Sequence, residues 1–288
     1  MWPGEAWRSG RDRFHRASRH QVKYRLTGQP DGEVVVLSAG LGGGAGFWAP
    51  QVPTLETQFR VLHYDHRGTG ANRAALPEGY SIGHMADDVL EILDDAECPT
   101  AHILGHALGG LVGLELARRA PARVGRLVLV NAWAQADRHT ARCFDVRLGV
   151  LASQGTGAYV AAQPLFLHSA AYASAHHEKI LAEIEHGTAT FQGEDTLRKR
   201  IGALHAFDVM TDLPSIRHPT LVAAAKDDLL VPYTASEALA AGLPNATLWL
   251  TDHGAHACTV ENPAPFNAVM MNFFSATPNG FQPLALPP

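Results

Sequence analysis

Short, nearly unbroken apolar runs recur along the chain: Glu33–Ser38, Phe59–Asp65, Ala101–Leu104, Arg126–Ala132, Thr220–Ala225 and Ala246–Thr251. Each is too short for a helix of ordinary length and too uniformly apolar to have a wet face. Such runs predict strands of a mostly parallel sheet, covered on both sides. Gln21–Leu26 differs, because its apolar and polar positions alternate, and it predicts an antiparallel edge strand. Helical spacing lies between the runs. Ile82, Met85, Val89 and Ile92 share one face of a helix over Ser81–Ala96, with Ser81 as N-cap. Asn262-Pro263 opens a last helix that turns Phe266, Val269, Met270 and Phe273 inward. Alternation of strand and helix predicts a doubly wound α/β fold.

The rhythm breaks over residues 134–214, where only helical patterns occur. Lys179–Glu185 predicts one helix, stopped by Gly187. Thr196–Val209 predicts another, with Leu197, Ile201, Leu204 and Phe207 in register. The expected organisation is therefore a leader at 1–20, an α/β core at 21–133 and 215–276, a helical cap insertion at 134–214, and a tail at 277–288. Ligands of open α/β sheets bind beyond the carboxyl ends of the strands, so a cap there would close a pocket over them.

Composition narrows the function classes. The chain has 288 residues, 46% hydrophobic and 18% charged, with a net charge of −5. That balance suits a globular enzyme and offers no basic field for nucleic acid. No apolar run reaches the about 18 residues of a membrane span, so no membrane partner is expected. The Arg-rich leader lacks the apolar stretch of a secretory signal and is expected to be disordered. Cys98, Cys143 and Cys258 are an odd, widely spaced set, which favours free thiols and a reducing, cytoplasmic setting. Cys258 stands two residues past His256, and a buried inert thiol is the simpler expectation for it. His63 and His66 flank Tyr64-Asp65 at a strand end, where an ordinary loop explains them better than a metal pair. No metal and no cofactor are expected.

Candidate chemistry gathers in the loops after the strands. Ser38–Trp48 is Gly-rich, which lets backbone N–H groups approach an anion. Gly40-x-Gly42-x-x-Ala45, with Asp65 ending the next strand, also allows a dinucleotide fingerprint. Against that, Pro50 and Pro53 interrupt where a dinucleotide turn should enter its helix. A second loop is Asp65–Gly70. A third is Gly105-His106-Ala107-Leu108-Gly109, a Gly-flanked turn between strand and helix. Two late loops, Lys226–Pro232 and Asp252–Pro263, carry Asp228 and His256. An acid and a histidine on neighbouring strand ends suit a pair in which Asp228 orients the imidazole.

This set of loops resembles the α/β-hydrolase superfamily over roughly residues 21–275. More narrowly, Arg142–Arg147, Gln163–Leu167 and the alanine at the third loop's centre resemble the pyrimidine-utilisation D family of uracil breakdown. The resemblance implies an α/β-hydrolase fold with a cap, and a hydrolase acting on C–N bonds. Its substrate would be carbamate, or in the other assignment aminoacrylate. It puts the acid on Asp228, the histidine on His256 and the oxyanion N–H donors on Leu41 and Leu108. The nucleophile position of the G-x-S-x-G turn falls on Ala107, which has no hydroxyl, and Ala39 replaces the usual histidine of the oxyanion loop. Serine-esterase chemistry is therefore not expected. Carbamate and aminoacrylate breakdown need only proton transfer, which His256 and Asp228 can supply. The same residues would also serve a non-catalytic binder of a small carboxylate. Either way the expected partner is a small-molecule carboxylate or carbamate, and a homodimer is compatible with the sequence.

Overall fold

The structure is a computed structural model that describes residues 15–16 and 22–276. Apart from His15–Arg16, the leader at 1–20 and the tail at 277–288 lie outside the described residues. The strands are β1 (His15–Arg16), β2 (Lys23–Gly28), β3 (Val34–Ser38), β4 (Arg60–Tyr64), β5 (Ala101–His106), β6 (Val124–Val130), β7 (Thr220–Ala225) and β8 (Ala246–Thr251). They form one sheet in the order β1-β2-β4-β3-β5-β6-β7-β8. The first two pairings, β1 with β2 and β2 with β4, are antiparallel, and every later one is parallel. The parallel strands therefore end along one edge, at Ser38, Tyr64, His106, Val130, Ala225 and Thr251.

Helices cover both faces, which is why the strands read as continuous apolar runs. Along β3, Val34 and Val36 join one core cluster while Val35 and Leu37 join another on the opposite face. The first cluster takes in α2 (Ile82–Asp95) and α3 (Leu108–Arg119). The second takes in α1 (Val52–Leu55) and α10 (Pro263–Ser275). Ser81 caps α2 as the sequence predicts, accepting from the His84 N–H while the His84 ring reaches back. Phe266, Val269, Met270 and Phe273 of α10 are all buried.

Several expectations need correction. Gln21 lies outside the described residues, and the first long strand runs Lys23–Gly28 with β1 along its outer side, so it is not the sheet's edge. The third apolar run extends as strand to His106, because β6 supplies a partner at Val130. Between β6 and β7 the chain forms α4 (Arg138–Leu167), α5 (Ala170–Ala175), α6 (His177–Ala189) and α7 (Glu194–Ala206). Gly187 does not stop α6. A Cβ there would come within 3.0 Å of Val160, so the glycine serves close packing on α4. Val209 and Phe207 fall beyond the end of α7. Arg142–Arg147 and Gln163–Leu167 both lie on α4, on either side of Gly155, whose φ of 82° breaks the helix. The ends of the helical segment are tied together by a bridge between Gln135 and Asp208. After β7 come α8 (Tyr233–Gly242), β8, α9 (Cys258–Glu261) and then α10.

Candidate active site

The central turn is built by two glycines. A Cβ on Gly105 would lie 2.3 Å from the Gly109 carbonyl oxygen, and one on Gly109 would lie 2.0 Å from that of Ser38. Only bare backbone lets β5 turn straight into α3 against β3. Ala107 sits between them at φ 46°, ψ −111°, a conformation that L-residues with a Cβ avoid. Its N–H donates to Val130 and its carbonyl accepts from Gly110 and Leu111, which holds the strained turn in place. A methyl group occupies the point where the turn presents its side chain.

Asp228 and His256 meet beside it. His256 Nδ1 lies 2.7 Å from Asp228 Oδ2, and both residues are buried. The other carboxylate oxygen, Oδ1, accepts from the Leu230 and Val231 N–H groups. The carboxylate is thereby fixed from both sides and can only orient the ring. Its neighbour Asp227 plays a separate part, accepting from the N–H groups of Gly254 and Ala255 and so folding the loop that delivers His256.

Two residues in this network are silent in the sequence. His106 Nε2 donates to the His256 carbonyl at 2.9 Å, and Asn131 Nδ2 donates to the same oxygen at 2.9 Å. Burial, reinforced by the nearby His256, holds the His106 ring well below the ordinary histidine range, so it stays neutral. Only the contact itself, across 150 residues of chain, could have revealed that anchor.

The Gly-rich loop is fastened from several directions. The His66 ring donates to the Ala39 carbonyl at 3.0 Å, and the His66 N–H donates to Gly43. Asp65 accepts from Ala45 through one oxygen and from Ala71 through the other. This use of Asp65, and the 3-10 turn Ala45–Trp48 that follows the loop, leave no dinucleotide turn here. Arg200 and Gln192 both donate to the Leu41 carbonyl. His63 hydrogen-bonds Thr27, away from His66's acceptor. Burial lowers His63 to about 4 and, with Arg200 adding to it, His66 to about 3. Among the described residues no group of three His, Cys, Asp or Glu is placed to hold a metal ion.

These loops and the helical segment enclose a cavity of about 290 Å³. Leu41, Ala107, Leu108 and His256 line it from the sheet side, at the carboxyl ends of the strands. Leu108 opens α3, so its N–H belongs to the helix's first turn and has no intrahelical acceptor. Phe144, Arg147, Tyr159, Gln163 and Phe191 line it from the helical segment. Among the described lining residues, Arg147 alone carries a fixed charge. Cys258 is buried, its Sγ 3.9 Å from Asn131 Nδ2, and burial pushes its thiol up to about 12, which makes it inert. Cys98 and Cys143 are also free and buried. No helix among the described residues is long and apolar enough to cross a membrane.

Comparison with known proteins agrees with this architecture. The alpha/beta hydrolase fold family profile matches residues 33–148. A Variovorax paradoxus protein named "Putative carbamate hydrolase RutD" is 52% identical over 255 residues, spanning 88% of this chain and 96% of its own. A protein of the same name from Rhizobium rhizogenes is 49% identical over 248 residues, spanning 86% and 95%. A crystal structure of a hydrolase from Pseudomonas aeruginosa superposes with a TM-score of 0.82 at 31% identity, covering 93% of this chain and 100% of that one. An enol-lactonase from Burkholderia xenovorans does so at 0.80 and 27% identity, covering 88% and 97%.

Proposed function

The chain belongs to the RutD family of the α/β-hydrolase fold, and from that premise we propose that it accelerates carbamate breakdown in pyrimidine utilisation by proton transfer alone. The observation that carries this reading is the buried Asp228–His256 pair at 2.7 Å, in a cavity whose nucleophile position holds only the Ala107 methyl. A covalent intermediate on residue 107 has no atom to form on. What the site retains is an oriented acid–base group.

The step balances without a nucleophile. Nδ1–H of His256 donates to Asp228, which leaves Nε2 to carry the transferable proton. That proton passes to the carbamate nitrogen, and the C–N electron pair leaves with nitrogen as ammonia. A lone pair on the carboxylate forms the second C=O bond of carbon dioxide. Water then reprotonates Nε2, and the hydroxide this leaves combines with the released carbon dioxide as bicarbonate. Asp228 keeps the ring in the required tautomer and offsets its charge while it is protonated. The N–H groups of Leu41 and Leu108, one of them at a helix N-terminus, give the anion a positive rim. We read the helical segment as the cap that keeps this step away from bulk water.

Aminoacrylate is a second reading, because the cavity has room for it as well as for carbamate. About 290 Å³ is far more than carbamate needs, since one water takes roughly 30 Å³. The enamine would take a proton on carbon from His256, add water at the resulting imine and lose ammonia to give malonic semialdehyde. The same residues serve both reactions.

The test is carbamate decay with purified protein against a protein-free blank, since the reaction also runs spontaneously. His256→Ala should slow the catalysed rate by roughly 10²–10⁴-fold. Wild type and variant within twofold of each other would make the protein a binder of small carboxylates and no catalyst.

A further inference from the structure

The cavity contains a cation that no described residue neutralises. Arg147 stands on α4, is 5% exposed and lines the cavity. Its Nη2 donates to the Tyr159 hydroxyl at 3.3 Å and to Gln163 Oε1. Both acceptors are neutral. Burial raises the Tyr159 phenol, so it stays protonated and supplies no counter-charge. Arg147 Nε is buried without a hydrogen-bond partner. The rings of Phe144, Tyr159 and Phe166 surround the guanidinium, with centroids 5.3, 5.7 and 5.6 Å from its carbon. Such faces steady a cation and hold its plane, yet they cancel no charge.

Arg200, the other buried arginine among the described residues, is treated differently, since two of its acceptors are the backbone carbonyls of Leu41 and Arg67. Arg67 and Arg118, which are more exposed, have the carboxylates of Asp88 and Glu115. Among the described residues, Arg147 has no carboxylate within ion-pair distance, and no Asp or Glu lines the cavity. Taking a guanidinium out of water is costly unless an anion meets it. The planar fork of a guanidinium matches a carboxylate in shape as well as charge.

We propose that Arg147 is the carboxylate anchor of this cavity and restricts its ligands to small monocarboxylate anions. This rests on the proposed function and deepens it: Arg147 captures the anion from the helical side, while His256 acts from the sheet side. Tyr159 and Gln163 are positioning residues that hold the guanidinium plane. Neutral molecules of the same shape are excluded, because binding them would leave the charge buried and unmatched.

The experiment compares two isosteric probes, methacrylate and methacrylamide, by ligand-observed NMR titration of the full chain. Methacrylate is a small unsaturated monocarboxylate close to aminoacrylate in size, and the amide removes only the charge. Wild type should bind methacrylate at least 10-fold more tightly than methacrylamide. Arg147→Gln should bring that ratio to about one with little change for the amide, and Arg147→Lys should give an intermediate ratio because it keeps charge and loses the fork. A wild-type ratio below twofold overturns the proposal without any variant. So does a ratio that survives Arg147→Gln in protein whose melting curve shows it folded. If the glutamine variant fails to fold, a lysine variant with the full wild-type preference assigns selectivity to charge alone and overturns the role of the fork. The carbamate assay is a separate readout: selectivity without catalysis refutes the proposed reaction and keeps the anchor, and catalysis without selectivity does the reverse.

Discussion

Arg147 and Arg200 both rise from the helical segment between β6 and β7, both are buried, and they use their guanidinium groups in opposite ways. Arg200 donates to the Leu41 and Arg67 carbonyls and to Gln192 Oε1, so it joins α7 to the two strand-end loops. Burial lowers it to about 10, which still leaves it charged at neutral pH. Its charge rests on fixed backbone dipoles, and the loop that supplies Leu41 is held rigid. Both arginines leave Nε without a hydrogen-bond partner, but Arg147 has only two neutral side-chain acceptors and stands in the cavity wall. One arginine is a latch and the other a receptor. A buried cation is structural when the chain itself provides its acceptors, and functional when the acceptors must come from outside.

Acid should act most strongly on the latched side. His66 is held near 3 by burial and by Arg200, and His63 near 4 by burial and Arg25, against an ordinary 6.5. Both folded values are depressed, so their contribution to stability is complete above about pH 6.5 and is lost as pH falls toward the folded values. Each costs about 1.4 kcal/mol per pH unit inside that window. His168 works in the opposite sense. Burial lowers it, but hydrogen bonds to Glu183 and Glu261 outweigh burial and raise it, so its contribution is present at low pH and fades as pH rises. Urea unfolding at pH 7 and pH 5 should show a net loss of several kcal/mol at the lower pH. Equal stability at both would mean the loop histidines are solvated in solution.

Arg200→Met should destabilise the protein by about 2–4 kcal/mol, because three acceptors lose a buried donor. The same variant should lessen the acid sensitivity, since His66 loses one of the charges that depress it. A destabilisation under about 1 kcal/mol would break the latch half of the comparison.

A smaller change is expected at the turn. Ala107→Gly should stabilise by about 1 kcal/mol, as release from positive φ outweighs the extra freedom of the unfolded glycine. A drop in melting temperature would show instead that the methyl group packs usefully in the cavity wall. Smallest of all should be Arg147→Met, whose stability should stay within about 1 kcal/mol of wild type, because removing an unmatched buried charge is close to neutral. A loss as large as that for Arg200→Met would make Arg147 a second latch.

Much of the site was legible because its parts are local. Ala107, Asp228 and His256 each follow an apolar run, and strand ends of a parallel sheet share one edge. Their convergence therefore needed only the fold class. The glycines of the turn were legible for a similar reason, since a missing side chain is a statement about space. His106 and Asn131 gave no such sign, because each acts on a backbone oxygen more than a hundred residues away. The helical segment is the least legible part. Gly187 and Gly155 look alike in sequence, yet the first packs inside a helix and the second breaks one. Packing on α4 decides between them, and no local propensity contains it.

By itself, the sequence determined which chemistry is absent. With alanine at position 107 there is no hydroxyl in any conformation, so covalent catalysis from that turn was excluded before any fold was known. It also pointed to the sheet, because short unbroken apolar runs bounded by turn residues suit strands covered on both faces. Tertiary structure alone decided what chemistry remains. It brought Nδ1 of His256 to 2.7 Å from Asp228, and it closed a cavity with Arg147 in its wall and no carboxylate among the described residues to meet it. The reason is physical: residue type fixes what a side chain can do, but burial, distance and the matching of charge belong to pairs of residues that the chain brings together only when it folds.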